Sequence, residues 1–392
     1  MKFLWRKSSE MDSTQMLPPS EYVSRKSERS SNLELYRILV MLLIVAHHYV
    51  VNSGLVDFMV LDMQSTLTSG NIFGGGKSLY FYLLGAWGKT GINCFVLITG
   101  YFMCKSSITL RKFLKLILQV YFYIIVINSV FAITGYHHFG LKESLKLLCP
   151  LKGINDNFTS CYLMFFLCIP FLNAMIHNIS RKQHQLLIAL LLFGFSVVAF
   201  PKLHYDVRIN YVTWFSVLYV VGSYLRLYPL KYDGNLSFWA ILTFASIAMG
   251  IMSVLYLLYK GVFLGAYSYI SDSNQILSLV IGVSSFMMFK NLPVPQSKWI
   301  NAIASTTFGV LLIHANSNTM RQWLWRDTVD CVGHYSDIHY IVYSICAILC
   351  VFAICSAIDY IRIKTLEKQQ ISSVEKVINK ILKYTNVSRL QK

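Results

Sequence analysis

Charged side chains are scarce in this sequence. Asp, Glu, Lys and Arg together make up 14% of its 392 residues, whereas hydrophobic residues reach 55%. Soluble domains carry charge on about a quarter of their residues. The scarcity therefore excludes an ordinary soluble domain and indicates an integral membrane protein. We predict an all-α fold, a polytopic bundle of about ten transmembrane helices.

Acidic residues are the scarcest charged group, with 18 Asp and Glu against 35 Lys and Arg, so the formal net charge is +17. Such a basic chain can bind nucleic acid when its basic residues form one stripe. Here they lie in short segments between apolar runs and near both ends. That distribution is typical of membrane topology, and we predict no nucleic-acid partner.

Metal-binding patterns are also missing. The nine cysteines include no pair with C-x-x-C spacing, which is the arrangement expected of a zinc site. Most of them lie in or beside apolar segments, where cysteine behaves as a small hydrophobic residue. We expect no metal site and no bound cofactor.

Ten apolar segments are present, although several contain Gly or Pro or fall short of the ~20 residues that a span needs. They lie near residues 33–51, 80–103, 113–134, 161–177, 185–201, 211–228, 237–259, 274–290, 302–316 and 340–363. If the amino terminus is cytoplasmic, the cytoplasmic segments carry 24 of the 35 Lys and Arg residues and the external ones carry nine. Positive charge marks the cytoplasmic side. We therefore predict a multi-pass cell-membrane protein with both termini in the cytoplasm.

The chain divides into three parts on this pattern. Residues 1–31 are a polar cytoplasmic tail and residues 32–363 are the membrane domain. Residues 364–392 form a basic amphipathic tail. Such a tail can lie on the anionic inner leaflet, so membrane lipids are a predicted partner.

The first apolar segment carries an arginine and two histidines. Ionisable groups at membrane depth are costly, and they usually have a function. Arg37 and His48 are eleven residues apart, which puts both on one helical face about 16 Å apart along the axis. His47 is turned about 100° away from that face, and we expect it to make structural contacts.

The start of this segment allows two interpretations. Ser31 and Glu34 match the S-x-x-E capping box, which predicts a helix beginning near Asn32. Glu34 also precedes Arg37 by one helical turn and can pair with it. Glu34 is therefore a candidate cap and equally a candidate partner of Arg37.

Several stretches resemble signatures of the membrane acyltransferase-3 family. The spacing from Arg37 to His48 resembles its R-x10-H motif. Residues 93–102, NCFVLITGYF, are similar to its F-F-x-x-S-G-F/Y-F signature, with Thr99 in place of the serine.

Two further stretches follow in the order found in the family. Residues 162–173, YLMFFLCIPFLN, are similar to a stretch that ends in P-F-L-N in many bacterial members. Residues 305–314, STTFGVLLIH, resemble its T-F-x-x-Y-L-x-H pattern, with Leu312 where tyrosine is frequent. The resemblance covers residues 32–363.

The resemblance implies a ten-helix enzyme that moves an acyl group, often acetyl, from cytoplasmic acyl-CoA to a glycan hydroxyl. We therefore expect an O-acyltransferase. Its donor would be acetyl-CoA or another acyl-CoA, and its acceptor a surface glycan or a lipid-linked oligosaccharide. Some members carry an SGNH hydrolase-like domain after the membrane core. Only residues 364–392 follow it here, and we expect no such domain.

Acyl transfer needs a base for the acceptor hydroxyl, and His48 is the candidate because imidazole titrates near neutral pH. A covalent acyl-histidine is the competing use of the same residue. Arg37, near the cytoplasmic end of its helix, is the candidate contact for a CoA phosphate or pantetheine carbonyl. Its alternative role is to snorkel to the headgroups.

Further candidates for donor and acceptor binding lie on other segments. Arg111, Lys112 and Lys115 stand where family members often carry R-x-x-R, but lysines lack the bidentate fork of arginine. These three are candidate phosphate ligands or a plain topogenic cluster. His314 is a candidate to orient the acceptor or relay a proton, and its alternative is a polar contact within the bundle.

A polysaccharide transporter or flippase is the alternative function. Transporters often contain internal repeats and paired broken helices. The two halves of this sequence show no clear repeat, which favours the enzyme. Release of thiol from acetyl-CoA distinguishes the two functions.

Overall fold

The computed structural model describes residues 30–69, 75–138, 140, 149, 151, 157–198, 210–270 and 272–390. Residues 1–29 of the predicted cytoplasmic tail lie outside the described residues. The helices are α1 (Ser31–Val51), α2 (Leu55–Thr68), α3 (Gly76–Gly85), α4 (Gly88–Met103), α5 (Leu110–Ile133), α6 (Phe158–His177), α7 (Arg181–Leu192), α8 (Tyr211–Leu227), α9 (Leu236–Tyr259), α10 (Ile276–Asn291), α11 (Lys298–Ala304), α12 (Thr307–His314), α13 (Asn318–Arg321), α14 (Tyr340–Thr365) and α15 (Glu367–Leu390). Wider π-helical turns extend α7 over Phe193–Val197 and α13 over Gln322–Thr328.

The all-α prediction is confirmed, since the described ranges contain helices and no strand. Six helical segments are long and apolar enough to cross a membrane, namely α1, α3 with α4, α5, α6, α9 and α14. Large apolar side chains remain exposed on α9 and α14, for example Ile241 at 70% and Ile361 at 61%. A soluble protein rarely leaves such surfaces uncovered, and here they suit lipid. The protein is multi-pass, while the exact number of ten spans stays a prediction.

Helix α1 lies at the centre of the bundle, where it packs against α3, α4, α10, α11, α12 and α14. Its side chains Val40, Met41, Val45 and Val50 are fully or almost fully buried. An apolar helix that is buried on most sides belongs to the core of a large bundle. The polar groups of α1 therefore face protein, which fixes their positions.

The predicted capping box at the start of α1 is wrong. The helix begins at Ser31 after Ser30, whose side chain makes no capping bond. The Ser31 hydroxyl instead lies 2.9 Å from Gln296 Oε1 and accepts a hydrogen bond from the Ser297 backbone N–H. Because this long-range contact occupies the Ser31 hydroxyl, that side chain anchors the start of α1 to the segment before α11 and does not cap the helix.

Helices α4 and α8 cross at backbone contact. A Cβ atom added at Gly222 would lie 2.7 Å from the Leu97 carbonyl oxygen, and one added at Gly100 would lie 3.0 Å from Tyr219 Cα. Small residues allow such close approach between membrane helices. The crossing fixes α4, which in turn packs along α1.

The predicted span 80–103 is interrupted in the structure. Helix α3 begins earlier, at Gly76, and the chain breaks between Gly85 and Gly88 before α4 starts. His47 fills the break, with Nδ1 2.6 Å from the Gly85 carbonyl oxygen. A Cβ added at Gly88 would lie 2.1 Å from His47 Cγ. His47 therefore makes the structural contacts expected of it.

A buried ionic group ties α5, α14 and α15 together. Asp359 is fully buried and accepts hydrogen bonds from Arg362 Nε at 2.7 Å and from the Tyr123 hydroxyl at 2.8 Å. Arg362 also pairs with Glu367 at 3.3 Å, and Glu367 pairs with Lys115 at 2.8 Å. The first turn of the basic tail is thus docked on the membrane domain.

Candidate active site

Two histidines meet near the same end of α1 and α12, although 266 positions separate them in the chain. Nδ1 of His48 lies 2.9 Å from Nε2 of His314. His314 is fully buried and His48 is partly buried. The pair lies at the ends of two helices that pack against each other, so both rings are positioned by the core.

The backbone fixes which ring nitrogens of the pair carry protons. Nδ1 of His314 is 2.6 Å from the Val310 carbonyl oxygen, which can only accept, so Nδ1 carries a hydrogen. In a neutral ring Nε2 of His314 is then the acceptor, and Nδ1 of His48 donates to it. The remaining Nε2 of His48 is left with a lone pair. This assignment follows from the hydrogen-bond network, and it provides a base oriented by a second group.

The segment α13 and its π-helical extension cover the histidine pair. The Trp325 ring is fully buried and stands edge-on to His314, with ring centroids 6.3 Å apart. The same ring packs edge-on against Tyr49 of α1 at 5.8 Å. Arg321, one turn earlier, lies within electrostatic range of both imidazoles. Burial lowers the pKa of the Arg321 guanidinium from its ordinary value, yet arginine stays charged in proteins.

Arg37 lies on α1 toward the opposite end of the helix from His48. Its Nη1 forms a salt bridge of 3.1 Å with Glu34, whose side chain is buried while that of Arg37 is 24% exposed. The pairing expected as one alternative for Glu34 is therefore present, and the cap is not. A buried carboxylate that holds an arginine fixes the direction of the guanidinium.

The basic cluster lies at a separate cavity between α5 and α15. The cavity has a volume of about 420 Å³ and is lined by Thr109, Arg111, Lys112, Lys115, Ile363, Glu367, Lys368 and Ile371. Lys112 Nζ lies 2.5 Å from the Ser106 hydroxyl and 2.8 Å from the Ser107 carbonyl oxygen. Lys115 is engaged by Glu367. Four cations around one cavity suit an anion such as phosphate, with Glu367 as a competing internal anion.

An ion pair at the protein surface joins the first turn of α4 to the segment before α10. Lys89, in the first turn of α4, pairs with Asp272 at 3.4 Å, and both side chains are substantially exposed. Such exposed pairs contribute little to stability. Across the described ranges no cluster of three His, Cys, Asp or Glu side chains has the arrangement of a metal site.

The comparison with family models decides the identity of this bundle. A model described as Acyltransferase domain matches residues 30–360. The chain belongs to the membrane acyltransferase-3 family. No curated protein and no solved structure gives a match. The family confirms that the protein is a membrane acyltransferase.

In this acyltransferase the structure joins some of the predicted site residues and separates others. It joins His48 to His314 and Arg37 to Glu34. It places Arg111, with Lys112 and Lys115, at the cavity beside α15.

Three residues around the histidine pair were not predicted from the sequence: Asn52, Arg321 and Trp325. Asn52 follows His48 by four residues, so helical periodicity alone puts both on one face. Arg321 and Trp325 lie in a stretch without a long apolar run, and no sequence signal linked them to His48.

Proposed function

We propose that the protein is an O-acyltransferase, in the first place an O-acetyltransferase. It takes the acyl group from acetyl-CoA or another acyl-CoA and places it on a hydroxyl of a cell-surface polysaccharide or its lipid-linked precursor. The observation that carries this proposal is the His48–His314 contact of 2.9 Å. It leaves Nε2 of His48 as a base in the membrane core of an acyltransferase.

The reaction uses His48 twice. Nε2 takes the proton of the acceptor hydroxyl while that oxygen forms a bond to the thioester carbonyl carbon. The tetrahedral oxyanion then collapses, the carbon–sulfur bond breaks, and the imidazolium returns the proton to the CoA thiolate. The products are the acyl ester and free CoA. His314 stabilises the imidazolium by accepting the Nδ1–H hydrogen bond.

Arg37 and His48 lie on one helix at a spacing that suits an extended donor. Eleven residues at 1.5 Å each separate them by about 16 Å along α1, a distance that a pantetheine arm can span. Arg37 then contacts a phosphate or a pantetheine carbonyl while the thioester lies at His48. The cavity lined by Arg111, Lys112 and Lys115 supplies a second phosphate-binding position.

The competing use of His48 is nucleophilic. Nε2 attacks the thioester carbon itself and CoA thiolate leaves. The acceptor hydroxyl oxygen then bonds to the acyl carbon, the carbon–nitrogen bond to Nε2 breaks, and the hydroxyl proton passes to the CoA thiolate. Both routes require the lone pair on Nε2 of His48. Mass-spectrometric detection of acylated His48 after mixing with acetyl-CoA in the absence of acceptor favours the covalent route, and its absence favours the base.

In this proposal the donor and the acceptor reach the protein from opposite faces of the cell membrane. Both termini and the basic cluster face the cytoplasm on the charge distribution, where acyl-CoA is present. The histidine pair lies toward the external ends of α1 and α12. The acceptor glycan therefore approaches from outside.

The experiment compares the O-acyl content of surface glycans from cells with and without this chain. We expect ester-linked acetyl to disappear with the chain, and membranes containing the chain to release thiol from acetyl-CoA. Unchanged O-acyl content together with no thiol release would contradict the acyltransferase proposal and favour the transporter.

A further inference from the structure

Three buried N–H donors around the histidine pair have no hydrogen-bond partner in the described structure. They are Asn52 Nδ2, Arg321 Nε and Trp325 Nε1. Buried donors are paired in the great majority of cases, and each exception needs an explanation. Leaving one such donor unmet is costly, so three on the segments that hold and cover the histidine pair indicate a missing acceptor.

The three donors are placed by the same elements that hold the histidines. Asn52 caps the end of α1, where its backbone N–H bonds the His48 carbonyl oxygen at 3.1 Å. Trp325 is 0% exposed and packs on the His314 ring. Arg321 precedes Trp325 by four residues and lies within electrostatic range of both imidazoles.

A hydrogen bond from Arg321 to Asn318 helps to fix the position of the guanidinium. Arg321 Nη1 donates to Asn318 Oδ1 at 3.3 Å, whereas Nε is buried without a partner. The wide turns of Gln322–Thr328 follow directly, and π-helical segments frequently occur at functional sites. The guanidinium is thus tethered at one end while its inner N–H stays available.

We propose that Trp325, Arg321 and Asn52 form the oxyanion-binding site of the transfer reaction. Their N–H groups hold the thioester carbonyl oxygen beside Nε2 of His48. This inference rests on the proposed function. As the acceptor oxygen bonds to the carbonyl carbon, the carbonyl electron pair moves onto its oxygen, and it returns when the carbon–sulfur bond breaks. Fixed donors and one cation in a water-poor site stabilise that charge where it develops.

The test uses Trp325→Phe, which removes Nε1–H and keeps an aromatic ring between Tyr49 and His314. Removal of one oxyanion donor typically lowers kcat by ~10²–10³-fold. We expect that fall with an unchanged KM for acetyl-CoA, measured on purified protein with isolated acceptor glycan. Trp239→Phe is the matched control, since Trp239 Nε1 donates to the Tyr232 carbonyl oxygen in another part of the bundle. It should keep the parent kcat.

Arg321→Lys provides a second, independent variant because it keeps the charge and removes the Nε–H donor. It should also lower kcat without raising KM. Parent-like kcat in both Trp325→Phe and Arg321→Lys overturns the oxyanion site, as does a rise in KM alone. If the oxyanion site is overturned in either way, loss of activity in His48→Gln still supports the proposed function. Full activity of His48→Gln would overturn the proposed function itself.

Discussion

A hydrogen bond to His314 orients the imidazole ring of His48. The Nδ1–H of His48 has His314 Nε2 as its acceptor at 2.9 Å, and His314 is held by the Val310 carbonyl oxygen at 2.6 Å. A base that is held in one tautomer and one orientation is effective, whereas a freely rotating imidazole is not. His314 therefore acts through His48 and is a positioning residue.

His314→Phe tests this role. The phenyl ring fills a similar space but accepts no hydrogen bond, so His48 loses its orientation. We expect kcat to fall by up to the ~10²–10⁴-fold that a positioned base contributes, with the KM for acetyl-CoA unchanged. His314→Gln, which retains an acceptor oxygen, should recover part of the rate. Equal rates for His314→Phe and the parent would show that His48 needs no partner.

Substitution of Arg37 tests the proposed binding of the acyl-CoA donor. Arg37→Ala removes the cation that Glu34 holds in place, and we expect weaker binding of acetyl-CoA in a ligand-binding assay on purified protein. Arg37→Lys should restore binding only in part, because lysine lacks the planar fork. Lys89→Ala is the control, since its pair with Asp272 is exposed. If Arg37→Ala binds acetyl-CoA as well as the parent protein does, Arg37 is not a donor contact and the alternative, in which its side chain snorkels to the lipid headgroups, is favoured.

At the residue scale the pairing of Glu34 with Arg37 could be predicted from the sequence, whereas the partner of His48 could not. Arg37, Glu34 and His48 lie on one helix, so their relation follows from 3.6 residues per turn. The partner of His48 comes from α12, and no local rule connects positions that far apart. The same holds for Ser31, whose predicted capping bond was replaced by contacts before α11.

At the scale of elements, apolar runs located most of the helices but not their interruptions. The break at Gly85–Gly88 depends on a contact with His47. The division of the predicted span 302–316 into α11 and α12 could not be read from hydropathy either. Helix α2 was not predicted because polar side chains interrupt its apolar pattern. Hydropathy indicates whether a segment lies in an apolar environment, but it does not show which other residues the segment contacts.

The ionic group around Asp359 is expected to stabilise the junction of α5, α14 and α15. Asp359→Ala would leave Arg362 buried without its closest partner, and breaking a buried pair in this way costs about 3–5 kcal/mol. We expect a clearly lower melting temperature in detergent. Glu367→Gln, at a more exposed position of the same network, should lower it much less. An unchanged melting temperature in Asp359→Ala would show that the network does not hold the three helices together.

At the scale of the whole molecule, the positive-inside distribution predicts the orientation of the bundle. In a Cys149→Ser background, cysteines introduced singly at Ser8 and Ser373 should resist an impermeant thiol reagent in intact cells and react after permeabilisation. Ile338→Cys, 85% exposed before α14, should react in intact cells. Labelling of Ser8→Cys or Ser373→Cys from outside would contradict two cytoplasmic termini.

The most direct test of the account compares two neighbouring histidines in the intact protein. His48→Gln keeps a hydrogen-bonding group but has no basic nitrogen, whereas His47→Gln changes the ring that fills the break before α4. Ester-linked acyl groups are measured on surface glycan from cells with equal membrane levels of each variant. We expect His48→Gln to lower acylation by ~10² or more, and His47→Gln to retain substantial acylation. Near-normal acylation with His48→Gln would contradict the account.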